Sequence, residues 1–447
     1  MVRFCLALVL LCLVAAPPLR AFEWETATAR GREYVTLRSF CTFYGFGYAV
    51  PSGNSPFVSR NDAHSIRFKS GSSDIYIDGV HYVASFPIEE GDHDWLVSRM
   101  DVIKLFKPVF RPTEVSGRHT IRGVVIDAGH GGSDNGATSR LGSEKNYTLD
   151  TAFRLAAILN SAGLKTVFTR RSDVFVDLYE RAHIASLYSD YAFVSIHFNS
   201  AAEEARGLET YCLSPRGAAS TSSSYLTRGD IQKLPGNDYD TQNVLLASMV
   251  HSEIIKLNPG DATADRGVKR ARFVVIKQNV LPAILVEGGF VSNHMEAARV
   301  NRPDYRQSLA QAIARGVVKF ANVMGDKRMS LPGGNPAPLA RPLAPVPAGL
   351  AHDPANGHIP VAKPATAAEL AAGASGQKKK TKKNATTPAA TTATDAAVTG
   401  KNASSSNTFD LAEPSTPTPT ADADKAAPEP DEPPTISTTP PSSSRHQ

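Results

Sequence analysis

The chain has 447 residues, of which 42% are hydrophobic, and its 48 basic and 43 acidic side chains give a formal net charge of +5. A charge this small for the length, with no basic run interleaved with aromatic residues, argues against a nucleic-acid partner and leaves an anionic cell-wall polymer open. The length could hold two or three domains, but the apolar residues are unevenly spread and the core-forming part ends near Gly325.

The first 21 residues have the pattern of a secretory signal peptide. They contain one arginine, an apolar stretch from Phe4 to Ala16 and a small residue at Ala21. The stretch is short for a membrane span, which needs roughly 20 residues, so an uncleaved anchor is the weaker alternative. We therefore predict an exported protein, periplasmic or secreted, with no transmembrane span in the mature chain.

The cysteines do not form a disulfide framework. Cys5 and Cys12 lie in the predicted signal peptide, and Cys41 and Cys212 lie in different predicted domains. Neither of the latter two has the paired spacing of a structural zinc site. Both are predicted to be unpaired thiols.

Residues 22–115 are predicted to form a small α+β domain. Ser65–Lys69 and Asp74–Val83 are predicted strands. Val35–Phe43 and Leu96–Phe106 each read as a strand that leads into a short amphipathic helix, which suggests an internal duplication. The region resembles the small domain at the amino terminus of copper amine oxidases. That domain is found beside many cell-wall enzymes, and nothing in this region gathers titratable groups, so we predict a wall-binding or positioning module.

Residues 119–325 alternate strands with helical patterns, which predicts an α/β domain with a central, largely parallel sheet flanked by helices. Apolar residues recur at helical spacing in 146–159, 244–257 and 305–320. The segment Ser214–Asp240 breaks this order, and we predict a long surface insertion near the site, acting as a lid or shaping access to it. Residues 326–447 are rich in Pro, Ala, Thr and Ser and are predicted to be a disordered tail.

Three apolar, β-branched runs end in residues suited to metal chemistry: Gly123–His130, Ala192–His197 and Ala283–Glu287. In an open α/β sheet, ligands bind beyond the carboxyl ends of the strands. We therefore expect these three strand ends to converge on one edge of the sheet.

A glycine-rich turn surrounds the first of these histidines, in the stretch Asp127–Ala137. The main alternative interpretation of this turn is a phosphate-binding loop, but the Lys followed by Ser or Thr that such a loop requires is missing. Glu144 comes just after the turn, where a carboxylate is also favoured by the dipole of the following helix. Taken with His130 and His197, however, it completes the ligand set of a catalytic zinc ion, which keeps a fourth position for water.

Glu287 is the candidate general base. A carboxylate beside a zinc site can accept a proton from water and pass it to a leaving nitrogen. The alternative is a structural ion pair with Arg266 or Arg270, because buried carboxylates usually need a partner. The other histidines of this region, at positions 183, 251 and 294, lack ligand spacing and are read as structural.

The stretch from Val124 to about Phe320 resembles the zinc-dependent N-acetylmuramoyl-L-alanine amidases. The matching motifs are Asp127–Gly132, Glu144–Asn146, Thr169–Arg170, Ser195–Asn199, Arg266–Lys269 and Pro282–Asn293. The resemblance implies cleavage of the amide between the lactyl group of N-acetylmuramic acid and L-alanine in peptidoglycan. Asn135 and Ser186 depart from the family's usual proline and asparagine without touching the implied ligand set.

Carried over by position, the resemblance makes His130, Glu144 and His197 the zinc ligands and Glu287 the catalytic glutamate. Three further residues are candidate substrate-binding groups: Asn199, Arg266 and Lys269. Arg266 or Lys269 would bind a peptide carboxylate or stabilise an oxyanion, and the open alternative is that either one is a surface salt-bridge partner. A monomer is expected, acting in wall remodelling or daughter-cell separation, and an insertion that covers the groove would make activity conditional on a protein activator. Two alternatives stay open, namely a zinc carboxypeptidase or endopeptidase of the cell wall and a non-catalytic wall-binding protein.

Overall fold

The structure, a computed structural model, describes residues 22–331 except 52, 54, 224, 259, 262, 263, 326 and 327. The predicted signal peptide over 1–21 and nearly all of the predicted tail lie outside the described residues. Met329 is described, and its backbone exchanges hydrogen bonds with the Asn322 side chain at 2.6 and 2.8 Å. Contacts with the body of the protein therefore continue slightly beyond Gly325.

The amino-terminal part combines short strands with short helices. Its strands are β1 Thr26–Ala29, β2 Arg32–Thr36, β3 Phe57–Arg60, β4 Ser65–Phe68, β5 Asp74–Ile77, β6 Val80–Val83, β7 Glu89–Glu90 and β8 Trp95–Ser98. Its helices are α1 Leu37–Tyr44, α2 Arg99–Asp101 and α3 Lys107–Phe110, with a π-helical turn Val102–Phe106 between the last two and a 3-10 turn Pro112–Glu114 after them. Strands β1, β2, β8 and β7 form a small antiparallel sheet in that order.

Both predicted strand-to-helix units are present. Strand β2 leads into α1, where Thr36 Oγ1 accepts a hydrogen bond from Ser39 N at 3.1 Å. Strand β8 leads into α2, where Ser98 Oγ accepts from Asp101 N at 3.3 Å. Each hydroxyl satisfies an N–H group that has no partner within the helix, which explains why the helices begin at these positions.

The prediction of one continuous strand over Asp74–Val83 is wrong, because the chain reverses direction inside it. Strands β5 and β6 pair antiparallel around Asp78 and Gly79. These two residues have φ values of +53° and +80°. Positive φ at both central residues is typical of the two-residue Asp-Gly hairpin turn.

After residue 119, longer strands alternate with helices. The strands are β9 Gly123–Ala128, β10 Thr138–Ser139, β11 Gly142–Ser143, β12 Lys165–Phe168, β13 Tyr191–Asn199, β14 Leu208–Leu213, β15 Asp265–Ala271 and β16 Ala283–Phe290. The helices are α4 Glu144–Ser161, α5 Leu178–Ser186, α6 Asp240–Ile254, α7 Val274–Lys277, α8 His294–Val300 and α9 Pro303–Met324, with 3-10 turns at Arg228–Ile231, Pro235–Tyr239 and Ile255–Leu257.

The central sheet confirms the α/β prediction. Its ten strands are ordered β12, β9, β13, β16, β14, β15, β6, β5, β4 and β3. The first four are parallel, whereas β14 runs antiparallel to β16. Helices α4, α6 and α9 bury one face of the sheet, and α5 and α7 pack on the other. The fully buried strands β9 and β16 explain the continuous apolar runs in the sequence.

The amino-terminal strands extend the central sheet, a feature that the sequence analysis did not predict. Strand β6 runs parallel to β15, with Tyr82 opposite Val268. His81 N donates to Asp265 Oδ2 at 2.9 Å, and the Tyr82 and Ser248 hydroxyls are 2.5 Å apart. The amino-terminal part is thus joined to the rest by strand pairing and by hydrogen bonds.

Cys41 and Cys212 are buried and unpaired, which confirms the predicted free thiols. Within the part of the chain that the structure describes, no helix has both the length and the apolar character that a membrane span requires.

Candidate active site

The turn after β9 brings the backbone directly against the other side chains of the site. His130 itself has a left-handed φ of +60°. A Cβ at Gly129 would overlap the imidazole of His197, and one at Gly136 would come within 2.5 Å of Glu144 Oε2. Glycine is required at both positions because no side chain fits between the turn and the site.

Two buried arginines hold the backbone of this turn in place. Arg170 donates to the carbonyl oxygen of Gly129 at 2.8 Å, and Arg181 donates to that of His130 at 2.8 Å. Arg181 also forms a fully buried ion pair with Asp127 at 2.8 Å. Burial alone would raise the pKa of Asp127, but the charge of Arg181 and hydrogen bonds from neighbouring hydroxyls lower it. Asp127 is therefore ionised and anchors the arginine that supports the turn.

The imidazole of His130 is oriented by a carboxylate in the same turn. Its Nδ1 lies 2.8 Å from Asp134 Oδ2. Because an ionised carboxylate only accepts hydrogen bonds, Nδ1 carries a hydrogen and Nε2 is the nitrogen left to bind a metal ion. Nε2 lies 3.1 Å from Glu144 Oε1. This is the arrangement of a metal-binding histidine with a supporting carboxylate.

Glu144 is the first residue of α4, and its carboxylate points into the site. Its Oε2 accepts a hydrogen bond from Ala137 N at 2.8 Å, and its Oε1 accepts one from Phe198 N at 2.9 Å and lies 3.0 Å from His197 Nδ1. Burial alone would raise the pKa of Glu144, but hydrogen bonds with both histidines bring it well below its usual range. A favourable helix dipole alone does not account for these contacts.

His130, Glu144 and His197 each offer one ligand atom, and these atoms lie within 4.8 Å of one another. The two imidazole rings are nearly perpendicular, with centroids 4.9 Å apart. Two nitrogen donors and one carboxylate oxygen fit a metal ion that keeps a further position for a reactant. Among the described residues, no second group of three such side chains is close enough to bind a metal ion.

Glu287 lies next to these three residues. In the parallel pairing of β13 and β16, its Cα is opposite that of His197. The side chain is 9% exposed, and its Oε2 has no hydrogen-bond partner. Burial, together with the negative charges of Glu144 and Glu209, raises the pKa of Glu287 well above its ordinary value. A carboxylate with a raised proton affinity in a metal site is suited to act as a general base.

A cluster of polar side chains lies beside Glu287 on the adjoining strands, centred on Glu209. Lys269 Nζ lies 2.9 Å from Glu209 Oε1, and the Arg266 guanidinium pairs with the same carboxylate. Asn199 Nδ2 donates to Glu209 Oε2 at 3.3 Å. The three candidate substrate-binding residues therefore meet at one buried carboxylate next to the site.

The structural alternative for Glu287, an ion pair with Arg266 or Arg270, is wrong. Arg266 pairs with Glu209 instead. Arg270 is buried and donates to Cys212 Sγ at 3.3 Å. His251, in contrast, is structural as predicted, because its two ring nitrogens are occupied by partners in the protein at 2.9 Å.

The prediction that Ser214–Asp240 lies near the site as a lid is also wrong. Glu209, at the start of β14, is opposite Glu287 in an antiparallel pairing. Strand β14 therefore runs away from the site and ends at Leu213 on the opposite edge of the sheet. There Ser214 N donates to Ala271 O at 3.1 Å, at the end of β15. The physical reason is the reversed direction of β14, which the sequence pattern does not encode.

The residues that support the site were not among the predicted site residues. Asp134 had a recognisable signal, because it follows His130 by four residues in the same glycine-rich turn and supporting carboxylates are common partners of metal-binding histidines. Arg170 lies in the Thr169–Arg170 motif, which matched the family but gave no indication of its contacts. Glu209 and Arg181 had no local signal, since their partners come from distant parts of the chain.

The comparisons with known proteins concern the segment that carries this site. Residues 124–319 match the sequence model of the family described as N-acetylmuramoyl-L-alanine amidase. The amidase AmiA of Escherichia coli is 34% identical over 220 residues, which cover 44% of this chain and 76% of AmiA. The sporulation-specific N-acetylmuramoyl-L-alanine amidase of Bacillus subtilis is 33% identical over 202 residues, covering 45% of this chain and 68% of that protein. The solved structure of the amidase AmiC2 of Nostoc punctiforme is 34% identical with a TM-score of 0.37, covering 44% of this chain and 96% of that one.

A sheet edge with two imidazoles and two carboxylates is typical of an α/β metal-dependent hydrolase. The chain belongs to the N-acetylmuramoyl-L-alanine amidase family, on the strength of residues 124–319. The resemblance of residues 22–115 to the amino-terminal domain of copper amine oxidases stays a prediction.

Proposed function

We propose that this protein hydrolyses the amide between the lactyl group of N-acetylmuramic acid and L-alanine in peptidoglycan, using a zinc ion held by His130, Glu144 and His197. The observation that carries the proposal is the convergence of these three side chains within 4.8 Å, next to Glu287. They lie inside the segment that matches the amidase family, and the relative AmiA is named for this activity.

The three residues fit zinc on the chemistry of their donors. Asp134 fixes the tautomer of His130 so that Nε2 can bind the metal, and two backbone N–H groups hold the carboxylate of Glu144. Zinc prefers such nitrogen and oxygen donors and takes three protein ligands in catalytic sites. Because protons and metal compete for the same lone pairs, metal binding would release the protons that bridge these groups in the metal-free protein.

A bound zinc ion supplies a Lewis acid and lowers the pKa of water towards about 7. The protein contributes the proton transfer: Glu287 accepts a proton from the attacking water and delivers it to the amide nitrogen as the C–N bond breaks. Its burial beside other carboxylates favours this role, because the raised pKa makes the side chain a stronger base. The oriented imidazoles and the fixed Glu144 hold the reacting groups in place.

Asn199, Arg266 and Lys269 are proposed to bind the substrate. Arg266 and Lys269 carry two positive charges and share one carboxylate, that of Glu209. The unbalanced positive charge can attract a carboxylate of the stem peptide or a developing oxyanion. Asn199 lies on the same cluster and offers an amide for hydrogen bonding to the peptide.

We also propose that the protein is exported and acts as a monomer in wall remodelling or daughter-cell separation, because its substrate lies outside the cytoplasm. Residues 22–115 would position the enzyme on the wall. The segment Ser214–Asp240 offers no lid for an activator to displace, since it leaves the sheet at the edge opposite the site.

Digestion of purified peptidoglycan tests the proposal. The wild type should release stem peptides with free L-alanine amino termini, identified by mass spectrometry, and Glu287→Gln should release almost none while still binding zinc. New amino termini elsewhere in the stem peptide would instead identify a carboxypeptidase or an endopeptidase. No cleavage by the zinc-loaded wild type would identify a wall-binding protein without this activity.

A further inference from the structure

An unusual apolar surface lies beside the turn that carries His130. Between β12 and the first turn of α5, large apolar side chains are strongly exposed: Val174 at 46%, Phe175 at 57%, Leu178 at 49% and Tyr179 at 60%. We call these residues the apolar shelf. Several strongly exposed large apolar side chains in one short segment suggest a binding surface.

The apolar shelf is held rigidly against the metal-binding turn. Asp173, which precedes it, accepts a hydrogen bond from Gly132 N at 2.7 Å and pairs with Lys145 at 2.9 Å. Arg181 donates to Val176 O at 3.0 Å while it holds the carbonyl of His130. The exposure of these side chains is thus a property of a fixed loop.

The contact between the shelf and the turn is direct. A Cβ at Gly132 would come within 2.5 Å of Phe175 N and 3.1 Å of Phe175 Cβ. Asp177 caps α5 by accepting from Tyr179 N at 2.8 Å, so the aromatic rings start from fixed backbone positions. Both aromatic residues therefore lie at the same edge of the sheet as His130.

The two sides of the site differ in chemistry. In the sheet order, β12 and β9 lie on one side of the strands that carry His197 and Glu287, and β14 and β15 lie on the other. The apolar shelf follows β12, whereas Arg266 and Lys269 lie on β15. A substrate that crosses the edge thus meets an apolar, aromatic side and a cationic side.

We propose that Phe175 and Tyr179 bind the pyranose rings of the glycan strand, and that the stem peptide extends towards Arg266 and Lys269. This inference rests on the proposed function. The C–H face of a sugar ring is apolar and packs on exposed aromatic rings, while the stem peptide carries carboxylates that need cations. The lactyl amide joins the glycan to the stem peptide. With the glycan on the apolar shelf and the stem peptide towards the two cations, this amide bond lies at the metal site.

Two substrates separate the contributions of the two sides. One is a disaccharide carrying the lactyl peptide, and the other is the same lactyl peptide without the sugar. Phe175→Ser and Tyr179→Ser should each lower kcat/KM on the disaccharide substrate about tenfold, mainly through KM. Both should leave kcat/KM on the sugar-free peptide unchanged.

Leu187→Ser is the matched control, because Leu187 is 51% exposed just after α5, at the opposite edge of the sheet. It should leave both substrates unaffected. Equal losses on both substrates in the shelf variants, or no loss on either, would overturn the inference. If the wild type cleaved neither substrate at the lactyl amide, the proposed function itself would fail, which is a distinct outcome.

Discussion

Replacing Glu287 with glutamine keeps the shape of the side chain and removes its ability to ionise. The native side chain is buried, and its pKa is raised by burial and by the nearby charges of Glu144 and Glu209. An acid with a raised pKa in the folded state stabilises the protein fully only below its unfolded pKa, and it loses that contribution as the pH rises through the folded value. At neutral pH, Glu287→Gln should therefore be at least as stable as the wild type.

The expected effect on catalysis has the opposite sign. A positioned general base contributes about 10²–10⁴-fold to the rate, which corresponds to about 3–5 kcal/mol of transition-state stabilisation. The variant should lose kcat by this factor and retain its zinc, because Glu287 is not among the three converging ligands. A large loss of activity without a loss of stability is typical of a side chain that takes part in catalysis and does not stabilise the fold.

Steady-state kinetics on a soluble muropeptide, together with urea unfolding of the metal-free protein at pH 7, measures both effects. Glu253→Gln is the control, since Glu253 is a buried glutamate that pairs with three cations on the outer helices. It should keep full activity and lose stability. If Glu287→Gln kept more than a tenth of the activity, the general-base role would be refuted. If it unfolded more easily than the wild type, the raised pKa of Glu287 would be refuted.

Three further predictions follow from the same contacts. Asp134→Asn should weaken zinc binding about 10–100-fold in a chelator competition, because His130 Nδ1 loses its carboxylate acceptor; an unchanged affinity would contradict that role. Arg181→Met should lower the free energy of unfolding by about 3–5 kcal/mol, measured by denaturant titration, because it leaves Asp127 buried and unpaired. Adding Asp127→Asn should recover most of that loss, and a double variant as unstable as the single one would count against the ion pair. Burial alone would raise the pKa of Glu253 above its ordinary 4.5, but its cationic partners lower it to about 2. The ionised side chain therefore stabilises the fold above pH 4.5, and this contribution is lost as the pH falls towards 2. Because those cations are roughly half exposed, the stability difference between the wild type and Glu253→Gln should be about 1 kcal/mol at pH 7 and should vanish near pH 2; a difference independent of pH would contradict the assignment.

The location of the site could be predicted because it combines a local signal with a general rule. The runs that end at His130, His197 and Glu287 are continuous and apolar, as expected for strands buried on both faces. Parallel strands place their carboxyl ends on one edge, so the convergence follows without knowledge of the full sheet order. Glu144 could be added because it follows the same turn at the start of a helix.

The features that were predicted wrongly or not at all depend on pairings between segments far apart in the chain. The direction of β14 decides where Ser214–Asp240 lies, and only its pairing with β16 reveals that direction. The extension of the sheet through β6 and β15 is likewise a contact between segments far apart in the chain. By contrast, the Asp78-Gly79 turn had a clear local signal, which the surrounding alternation of polar and apolar residues concealed.

The residues that support the site also divide into those with a local sequence signal and those that meet only through long-range pairing. Asp134 is local to His130 and could have been recognised, whereas Glu209 meets Arg266 and Lys269 only because β14 and β15 are neighbours. Exposure of an apolar residue cannot be read from the sequence at all. Phe175 and Tyr179 look like core residues until the fold shows them at the surface.

Metal content is the most direct test of the proposed zinc site. The purified protein, analysed by atomic emission after dialysis, should contain about one zinc ion per chain, and His130→Ala or His197→Ala should lose it while Glu287→Gln keeps it. A wild-type protein that binds no zinc under these conditions, or alanine variants that keep a full equivalent, would contradict the convergence of these side chains on one metal ion.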